Sequence, residues 1–377
     1  MTILVAGDYC DSGRVGQNVS SGCFDCWFCS VKPIIEVADY KIVNFEFPIV
    51  FGKGNPIFKA GPSLKGQKAA VEAIKFAGFN VCTLANNHIL DQGEKCCLET
   101  KRLIEDAGMH TAGVGKNLDD ASQILYLMSN EETIAVINCC EHEFSIATEK
   151  TAGANPLNPI QQFYKIQEAR NHADYVLVIV HGGHEMCQLP SPRMKETYRF
   201  FVDAGADAVV NHHQHCYSGY EVYKGKPIFY GLGNFLFDWE GRRNGLWNEG
   251  YMVAISFDKE RKTSYRLYPY KQCNDEPIVE IMQGEDMKLF EKKICVLNDI
   301  IADDHRLKDA WESWIKAHSS YTLMDYQPYF SRLAKSLYVK GFLPSFITKK
   351  KKYSIIDHIE CESHLDKLRF VIRNIKE

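Results

Sequence analysis

Residues of the kinds that bind metal ions follow five short apolar segments of this chain. Each segment is rich in Val, Ile or Leu, as is typical of strands that are covered on both faces. The five polar ends are Asp8, Asn44-Phe45-Glu46, Asn86-Asn87-His88, His181 to Glu185, and Asn211 to His215. In open α/β sheets, ligands bind just beyond the carboxyl ends of the strands. If the five segments are parallel strands of one fold, their ends meet, and the sequence predicts a metal-centred active site.

The histidines are the most specific of these residues. His213 and His215 stand two positions apart directly after a predicted strand, and both can face one site if the backbone there is irregular. Imidazole binds Zn, Mn, Fe and Ni alike. Any one of these histidines alone would be better explained as a surface residue or a hydrogen-bonded core residue. Because His181 and His184 follow the preceding apolar segment, the cluster as a whole favours a metal site.

Two carboxylates and one amide complete the candidate ligands. Asp8 and Glu46 follow apolar segments, where burial of a carboxylate is unfavourable unless it is paired or bound to a metal. The alternative for Asp8 is a turn residue or a helix N-cap. Asn87 offers an amide oxygen to a hard cation, and the adjacent His88 stays available as an acid near neutral pH.

A further set of residues is expected to contact a substrate. The segment that begins at Glu141 follows another apolar run, so it should lie at the same edge of the sheet. Arg193 is the best candidate for binding a phosphate or carboxylate, because its guanidinium matches either anion, although a helix-surface charge explains it equally well. The predicted substrate-binding residues are Glu141, His142, Asn155, Glu185, Arg193 and Asn234.

Helical patterns separate the predicted strands. Leu64 to Phe76, Gly93 to Ala107 and Pro192 to Ala204 are periodic, and a glycine follows each of them closely. Strands that alternate with helices of this length indicate βαβ units and a largely parallel sheet. Residues 251–282 alternate as antiparallel strands do. From about residue 284 the pattern is helical, which predicts one domain over 1–283 and a helical segment over 284–377.

The composition argues against several classes of protein. The 377 residues carry a formal charge of -4, whereas dedicated nucleic-acid binders usually have a basic face, so no nucleic-acid partner is expected. No segment has the uninterrupted apolar length that a membrane span requires. The first residues lack the basic region of a signal peptide and enter a strand pattern at once. Fourteen cysteines are then best interpreted as reduced thiols, and the expected location is the cytoplasm.

Six motifs that follow one another in order resemble those of a known family. They are Gly7-Asp8; Asn44 to Pro48; Ala85 to His88 with Asp91-Gln92-Gly93; His181 to Glu185; Asn211 to His215; and Gly231 to Phe235. The series is similar to the CapA, or poly-γ-glutamate capsule-synthesis, family, a branch of the calcineurin-like metallophosphatase superfamily. The resemblance covers roughly residues 3–257.

The resemblance implies an α/β fold of the metallophosphatase-like αββα sandwich type, followed in this chain by a C-terminal helical appendage. The implied ligands of a first divalent metal are Glu46, Asn87, His181 and His213, and those of a second are Asp8, Glu46 and His215. His88 would donate a proton to the leaving group, and water activated on the metal would be the nucleophile.

One motif departs from the superfamily pattern. The first strand there usually ends Asp-x-His, whereas this chain has Asp8-Tyr9-Cys10, so the second site has one ligand fewer unless Cys10 or Asp11 supplies it. One or two divalent ions per chain are therefore expected. The sequence does not distinguish Mn, Zn and Fe.

The function that these residues favour is metal-dependent hydrolysis in capsule or exopolysaccharide biosynthesis. The bond would be a phosphoester or a γ-glutamyl bond of a cell-envelope intermediate, either a small molecule or a polymer precursor. The alternative is a non-catalytic scaffold of the capsule machinery with a structural metal. The C-terminal segment, with Lys349 to Lys352 after an apolar run, would then contact a membrane surface or a membrane protein, although solvated loop lysines are the commoner case.

Overall fold

Two β-sheets form the centre of the computed structural model, which describes residues 1–22, 24, 26–260, 262–360 and 362–373. Within these residues the strands are β1 Thr2–Cys10, β2 Tyr40–Phe45, β3 Val81–Thr83, β4 His110–Ala112, β5 Val114–Gly115, β6 Leu125–Ser129, β7 Glu132–Cys140, β8 Gly153–Ala154, β9 Tyr175–His181, β10 Ala208–His212, β11 Tyr220–Tyr223, β12 Lys226–Phe229, β13 Asn234–Phe237, β14 Glu249–Phe257, β15 Thr263–Gln272 and β16 Val279–Ile281. The α-helices are α1 Gly13–Ser20, α2 Lys32–Ile35, α3 Ala69–Ala77, α4 Gly93–Asp106, α5 Leu118–Ala121, α6 Pro159–Arg170, α7 Pro192–Ala204, α8 Gly284–Ala302, α9 Asp304–Met324, α10 Arg332–Val339, α11 Lys349–Glu360 and α12 Glu362–Arg373. A 3-10 turn covers Leu246–Asn248.

The five predicted strands are divided between the two sheets. The first sheet has the order β16-β15-β14-β1-β2-β3-β4, with β13 pairing with β1, and the second has the order β11-β12-β10-β9-β7-β6. The strands from β1 to β4 are parallel, as are β7, β9, β10 and β12. The strands β14, β15 and β16 pair antiparallel, as the alternation over residues 251–282 predicted. The βαβ pattern alone predicted one largely parallel sheet, because a strand pattern does not say which strands share a sheet.

Alternate residues of the strands face different layers. Val5 of β1 lies in a buried cluster with Leu177 and Ile179 of β9, which fills the space between the sheets. The neighbouring Leu4 instead packs in a cluster with residues of α3 and α4. Val178 of β9 packs in the same way with residues of α6 and α7. The layers are therefore helix, sheet, sheet, helix, and they confirm the αββα sandwich that the resemblance implied.

One predicted helix begins later than its periodicity indicated. The pattern predicted a start at Leu64, whereas α3 begins at Ala69. The backbone before this point is bonded to carboxylates from elsewhere in the fold: Leu64 N donates to Asp91 Oδ2 at 2.6 Å, and Gln67 N donates to Asp11 Oδ2 at 2.8 Å. Tertiary hydrogen bonds have therefore replaced the first helical turn.

The chain divides into two compact units, residues 1–311 and 312–377. Helical structure does begin at Gly284, where the sequence placed its boundary, but α8 belongs to the first unit. The reason is burial, because Phe290 and Ile294 of α8 pack into the cluster between the sheets. The second unit contains the end of α9 and the helices α10, α11 and α12. None of the described helices combines the length and the apolar character needed to cross a membrane.

Candidate metal centre

Asp8 lies where β1 changes partners. The strand pairs with β14 up to Val5, and from Asp8 onward it pairs with β13, with a register shift after Asp8. This change brings the backbone very close to a neighbouring turn, because Asp8 N donates to Gly233 O at 3.2 Å. A Cβ atom on Gly7 would lie 1.8 Å from that same oxygen. Only glycine fits before Asp8, which explains the Gly-Asp order of the motif.

The irregular backbone that the spacing of His213 and His215 required is present after β10. His213 has a φ of 91° and His215 a φ of 54°, both in the left-handed region that residues with a Cβ rarely adopt. In a regular strand two residues at i and i+2 share a face but cannot converge on one point. Here the strain of order 1–3 kcal/mol per residue is maintained by the surrounding fold. Such strain is common at functional sites.

His181 Nε2 faces three atoms of the kinds that bind metals. Asn87 Oδ1 and His213 Nδ1 each lie 3.1 Å from it, and Glu46 Oε1 lies 3.4 Å from it. One ring nitrogen has a single proton or a single lone pair, so it cannot satisfy all three contacts as hydrogen bonds. Ligand atoms at the usual metal distances of about 2.0–2.2 Å stand about 3.3–3.6 Å apart around a tetrahedral ion and about 2.8–3.1 Å apart around an octahedral one. The four side chains that the resemblance implied therefore come together with spacing suited to one cation.

A second group shares Glu46 with the first. It consists of Asp8, Glu46 and His215, whose candidate ligand atoms lie within 4.8 Å of one another. Glu46 Oε1 lies 3.7 Å from His215 Nε2, and Asp8 Oδ2 lies 3.6 Å from His215 Nδ1. Both carboxylate oxygens of Glu46 are buried and accept no hydrogen bond from the described residues. A cation at either group would supply the missing partner of this carboxylate.

The ionisation of these groups suits metal binding. Burial lowers the pKa of His181 far below its ordinary value and that of His215 to about 3, so both imidazoles are neutral, as ligation requires. Burial raises the pKa of Asp8 to about 7 and that of Glu46 well above its ordinary range, the latter further raised by the charge of Asp8. Two carboxyl groups buried side by side need a positive charge to ionise. The donor set therefore fits a divalent cation.

Neither candidate for the missing ligand of the second site joins it. Cys10 packs in the apolar cluster beneath the helices, and burial raises the pKa of its thiol. Asp11 accepts a hydrogen bond from Gln67 N through Oδ2. Among the described residues, the second group has only Asp8, Glu46 and His215. The departure from Asp-x-His therefore leaves this group one side chain short of the first.

Three residues around the ligands hold them in place. Asn44 donates to Asp8 Oδ1 at 2.7 Å and lies 3.2 Å from His181 Nδ1. Asn234, which the sequence predicted as a substrate contact, is buried, and its Oδ1 lies 2.9 Å from His215 Nδ1. This burial corrects the prediction, because Asn234 contacts a candidate ligand instead of an open pocket. Partners of this kind fix ring orientation and strengthen metal binding.

The third residue is Glu143, which lies in the segment that begins at Glu141 but was not among the predicted site residues. Its Oε2 accepts a hydrogen bond from Asn87 Nδ2 at 3.0 Å, and its Oε1 lies 3.5 Å from His213 Nε2. The bond to the amide nitrogen leaves Asn87 Oδ1 facing His181, where a cation would bind. One carboxylate thus orients two ligands of the first group. Its position beside Glu141 after β7 was the available signal.

We expect Glu143→Gln to weaken metal binding about 10- to 100-fold while the protein remains folded, because loss of an orienting partner has effects of this size. Isothermal titration with Mn²⁺ or Zn²⁺ measures the affinity. Glu185→Gln is the matched control, since Glu185 is exposed on the loop after β9. Equal affinities for the Glu143 variant and the wild type would contradict the assigned role.

His88 is held by a buried ion pair. Its Nδ1 lies 2.6 Å from Asp91 Oδ2, and Lys59 Nζ lies 2.6 Å from Asp91 Oδ1 and 3.2 Å from His88 Nδ1. The side chains of Lys59 and Asp91 are almost completely buried, so their charges are strongly coupled. His88 belongs to neither ligand group, although Asn87 beside it belongs to the first. Asp91 stood in the quoted motif, but Lys59, 32 residues earlier, gave no signal in the sequence.

The remaining predicted substrate residues lie in two environments. Glu141 accepts from Gly183 N at 3.1 Å and is ion-paired with Arg193, whose side chain is 58% exposed. His142 and Glu185 are exposed on neighbouring loops. Asn155 is buried and donates to Asn138 O at 2.9 Å, so it supports β7, and this corrects its prediction as a substrate contact. Arg193 remains a predicted anion contact, but its guanidinium is engaged by Glu141.

An αββα sandwich with two His/carboxylate groups at its strand ends is a metallophosphatase-like fold. The family model described as bacterial capsule synthesis protein PGA_cap matches residues 2–239, and the chain belongs to this family. The chain is 34% identical over 246 residues to the capsule biosynthesis protein CapA of Bacillus anthracis, covering 63% of this chain and 60% of that protein. It is 36% identical over 217 residues to the PGA biosynthesis protein CapA of Bacillus subtilis, covering 57% of each.

A solved structure described as a novel phosphatase, from Mycoplasma pneumoniae, aligns with 73% of this chain and 95% of its own, at 16% identity and a TM-score of 0.45. The chain spans about 60% of the length of the curated relatives it matches. The matched residues 2–239 include every member of both ligand groups and His88.

Proposed function

We propose that this protein is a metal-dependent hydrolase that acts in the biosynthesis of a bacterial capsule polymer. The bond cleaved is a phosphoester or a γ-glutamyl bond of an envelope intermediate. The observation that carries this proposal is the carboxylate Glu46, which belongs to both ligand groups and whose two buried oxygens accept no hydrogen bond from the described residues. The names of the Bacillus relatives, which refer to capsule and PGA biosynthesis, support the biological setting.

Different residues of the chain would bind the metal and donate the proton. Glu46, Asn87, His181 and His213 would hold the first cation, and Asp8 and His215 would join Glu46 at the second group. A bound divalent cation would polarise the oxygen of the scissile group and lower the pKa of water. His88 lies beside Asn87, and Asp91 orients its ring through Nδ1, which leaves Nε2 as the atom that can deliver a proton to the leaving group. This arrangement assigns separate residues to metal binding and to acid catalysis.

The test combines metal analysis with activity. Purified protein loaded with Mn²⁺, Zn²⁺ or Fe²⁺ is assayed on a phosphodiester and on a γ-glutamyl amide, and its metal content is measured by elemental analysis. We expect at least one metal to support turnover on one of these bonds and His213→Asn to lose both metal and turnover. Asn is chosen because it tolerates the left-handed backbone of His213 better than other residues.

A protein with full metal occupancy and no turnover on either bond would contradict the proposal. That result would favour the non-catalytic alternative, in which the cation is structural. A bound metal stabilises the folded state by mass action in either role, so turnover, and not the melting temperature, distinguishes the two.

A further inference from the structure

Charge is divided unevenly between the two compact units. Residues 312–377 contain twelve Lys and Arg against seven Asp and Glu, a formal charge of about +5, whereas the whole chain carries -4. The first unit is therefore strongly acidic and the second basic. A basic unit attracts anionic partners and repels cationic ones before any contact is made.

The densest part of this charge lies where it does not stabilise the local structure. The sequence suggested that Lys349 to Lys352 lie in a loop, but they form the first turn of α11. No acidic residue lies in that first turn. Thr348 precedes the helix, and its Oγ1 accepts from Lys351 N at 3.2 Å. Cations at a helix N-terminus oppose the helix dipole, and adjacent like charges repel. The helix itself therefore gives no reason for four exposed lysines at this position.

Exposed aromatic side chains precede the lysines. Phe342 is 73% exposed and Phe346 is 54% exposed. The segment that carries them is ordered by hydrogen bonds within the unit: Phe346 N donates to Gln327 Oε1 at 2.8 Å, and Tyr329 Oη donates to Pro344 O at 2.7 Å. Phe346 stands three residues before Lys349, so their Cα atoms are at most about 10 Å apart. Phe346 and the first lysines are therefore close neighbours, and Phe342 stands four residues before Phe346 in the same ordered segment.

We propose that Phe342, Phe346 and Lys349 to Lys352, here called the basic aromatic surface, dock the second unit on an anionic phospholipid membrane. Stable peripheral binding needs two signals, and this surface offers both: apolar side chains that enter the headgroup region and lysines that bind lipid phosphates. A second copy of the chain fits less well, because a symmetric contact would bring the two lysine runs together. This proposal does not depend on the catalytic one.

The test is sedimentation of the full-length chain with vesicles. One set contains phosphatidylcholine alone, and the other contains roughly 30% phosphatidylglycerol, which gives an anionic surface. We expect binding to the anionic vesicles only, and weaker binding as salt screens the surface charge. Each lysine near an anionic leaflet raises affinity about fivefold, so Lys→Gln at all four positions should lower it by a factor of 30 or more, allowing for salt screening.

Two further variants make the test specific. Phe342→Ser with Phe346→Ser should lower affinity for the same vesicles about tenfold while leaving the lysines in place. The control variant replaces by Gln four exposed lysines of the first unit, Lys53, Lys65, Lys68 and Lys95. Its affinity for the anionic vesicles should stay within twofold of that of wild type.

Equal binding to both kinds of vesicle, or unchanged binding of the four-lysine variant, would overturn the proposal. Light scattering that shows a dimer which the phenylalanine variant dissociates would overturn it in favour of a second copy. Circular dichroism checks that each variant keeps its helix content, so that lost binding is not lost folding.

Discussion

Replacement of Glu46 by Gln is expected to abolish the stabilisation of the protein by divalent metal and, at the same time, to stabilise the metal-free protein. Glu46 belongs to both ligand groups, and an amide is a much poorer ligand than a bridging carboxylate. At a metal concentration of about 1,000 times the dissociation constant, wild type should gain roughly 4 kcal/mol, and the variant should gain almost nothing.

The higher stability expected of metal-free Glu46→Gln follows from the burial of Glu46. Burial raises the pKa of Glu46, so the folded metal-free protein loses stability as pH rises above the pKa of the unfolded chain. At pH 8 this penalty is present in wild type and absent in Glu46→Gln. Each kcal/mol shifts the melting temperature of a protein of this size by about 2 °C, so the metal-free variant should melt a few degrees above metal-free wild type.

Differential scanning fluorimetry of chelated and metal-loaded protein measures both effects. Asp207→Asn is the matched control, because Asp207 is also a buried carboxylate but is paired with Arg170 and Lys226. It should lower the melting temperature with and without metal and leave the metal-induced increase intact. A Glu46 variant that retains the metal-induced increase would exclude Glu46 as a ligand.

Replacement of His88 by Ala is expected to lower turnover by 10²- to 10⁴-fold without loss of metal, provided that the protein is the hydrolase proposed above. His88 lies outside both ligand groups, so elemental analysis should give the wild-type metal content. The loss should be large for a substrate with an alkoxide leaving group, which needs a proton. It should be small for a nitrophenyl ester, whose leaving group departs as a stable anion.

Asp91→Asn is an independent test of the role of His88 as the acid. Asp91 contacts His88 Nδ1 and Lys59 but offers no atom to the leaving group, so its variant should retain more turnover than His88→Ala. The two variants should share the same dependence on the leaving group, because both act on the same proton. Equal losses of His88→Ala on alkyl and nitrophenyl substrates would show that His88 is not the acid.

The sequence by itself determined which residues of metal-binding type follow the strands of this protein. Apolar strands followed by Asp8, Glu46, Asn87, His181 and the His213-Gln214-His215 run are local patterns, and the structure brings these residues together as the resemblance implied. Strand content, the antiparallel strands over residues 251–282 and the start of helical structure at Gly284 were also readable from period and composition. These features depend on neighbours in the sequence, which the sequence displays directly.

Tertiary structure alone decided how those residues share one site. The division of the strands between two sheets, the position of Glu46 in both groups, and the contacts of Glu143 and Lys59 depend on residues far apart in the chain. Burial also reassigned Asn155 and Asn234 from substrate contact to support of the strands and ligands. Distances between strand ends follow from packing of whole layers, and a one-dimensional pattern does not contain them.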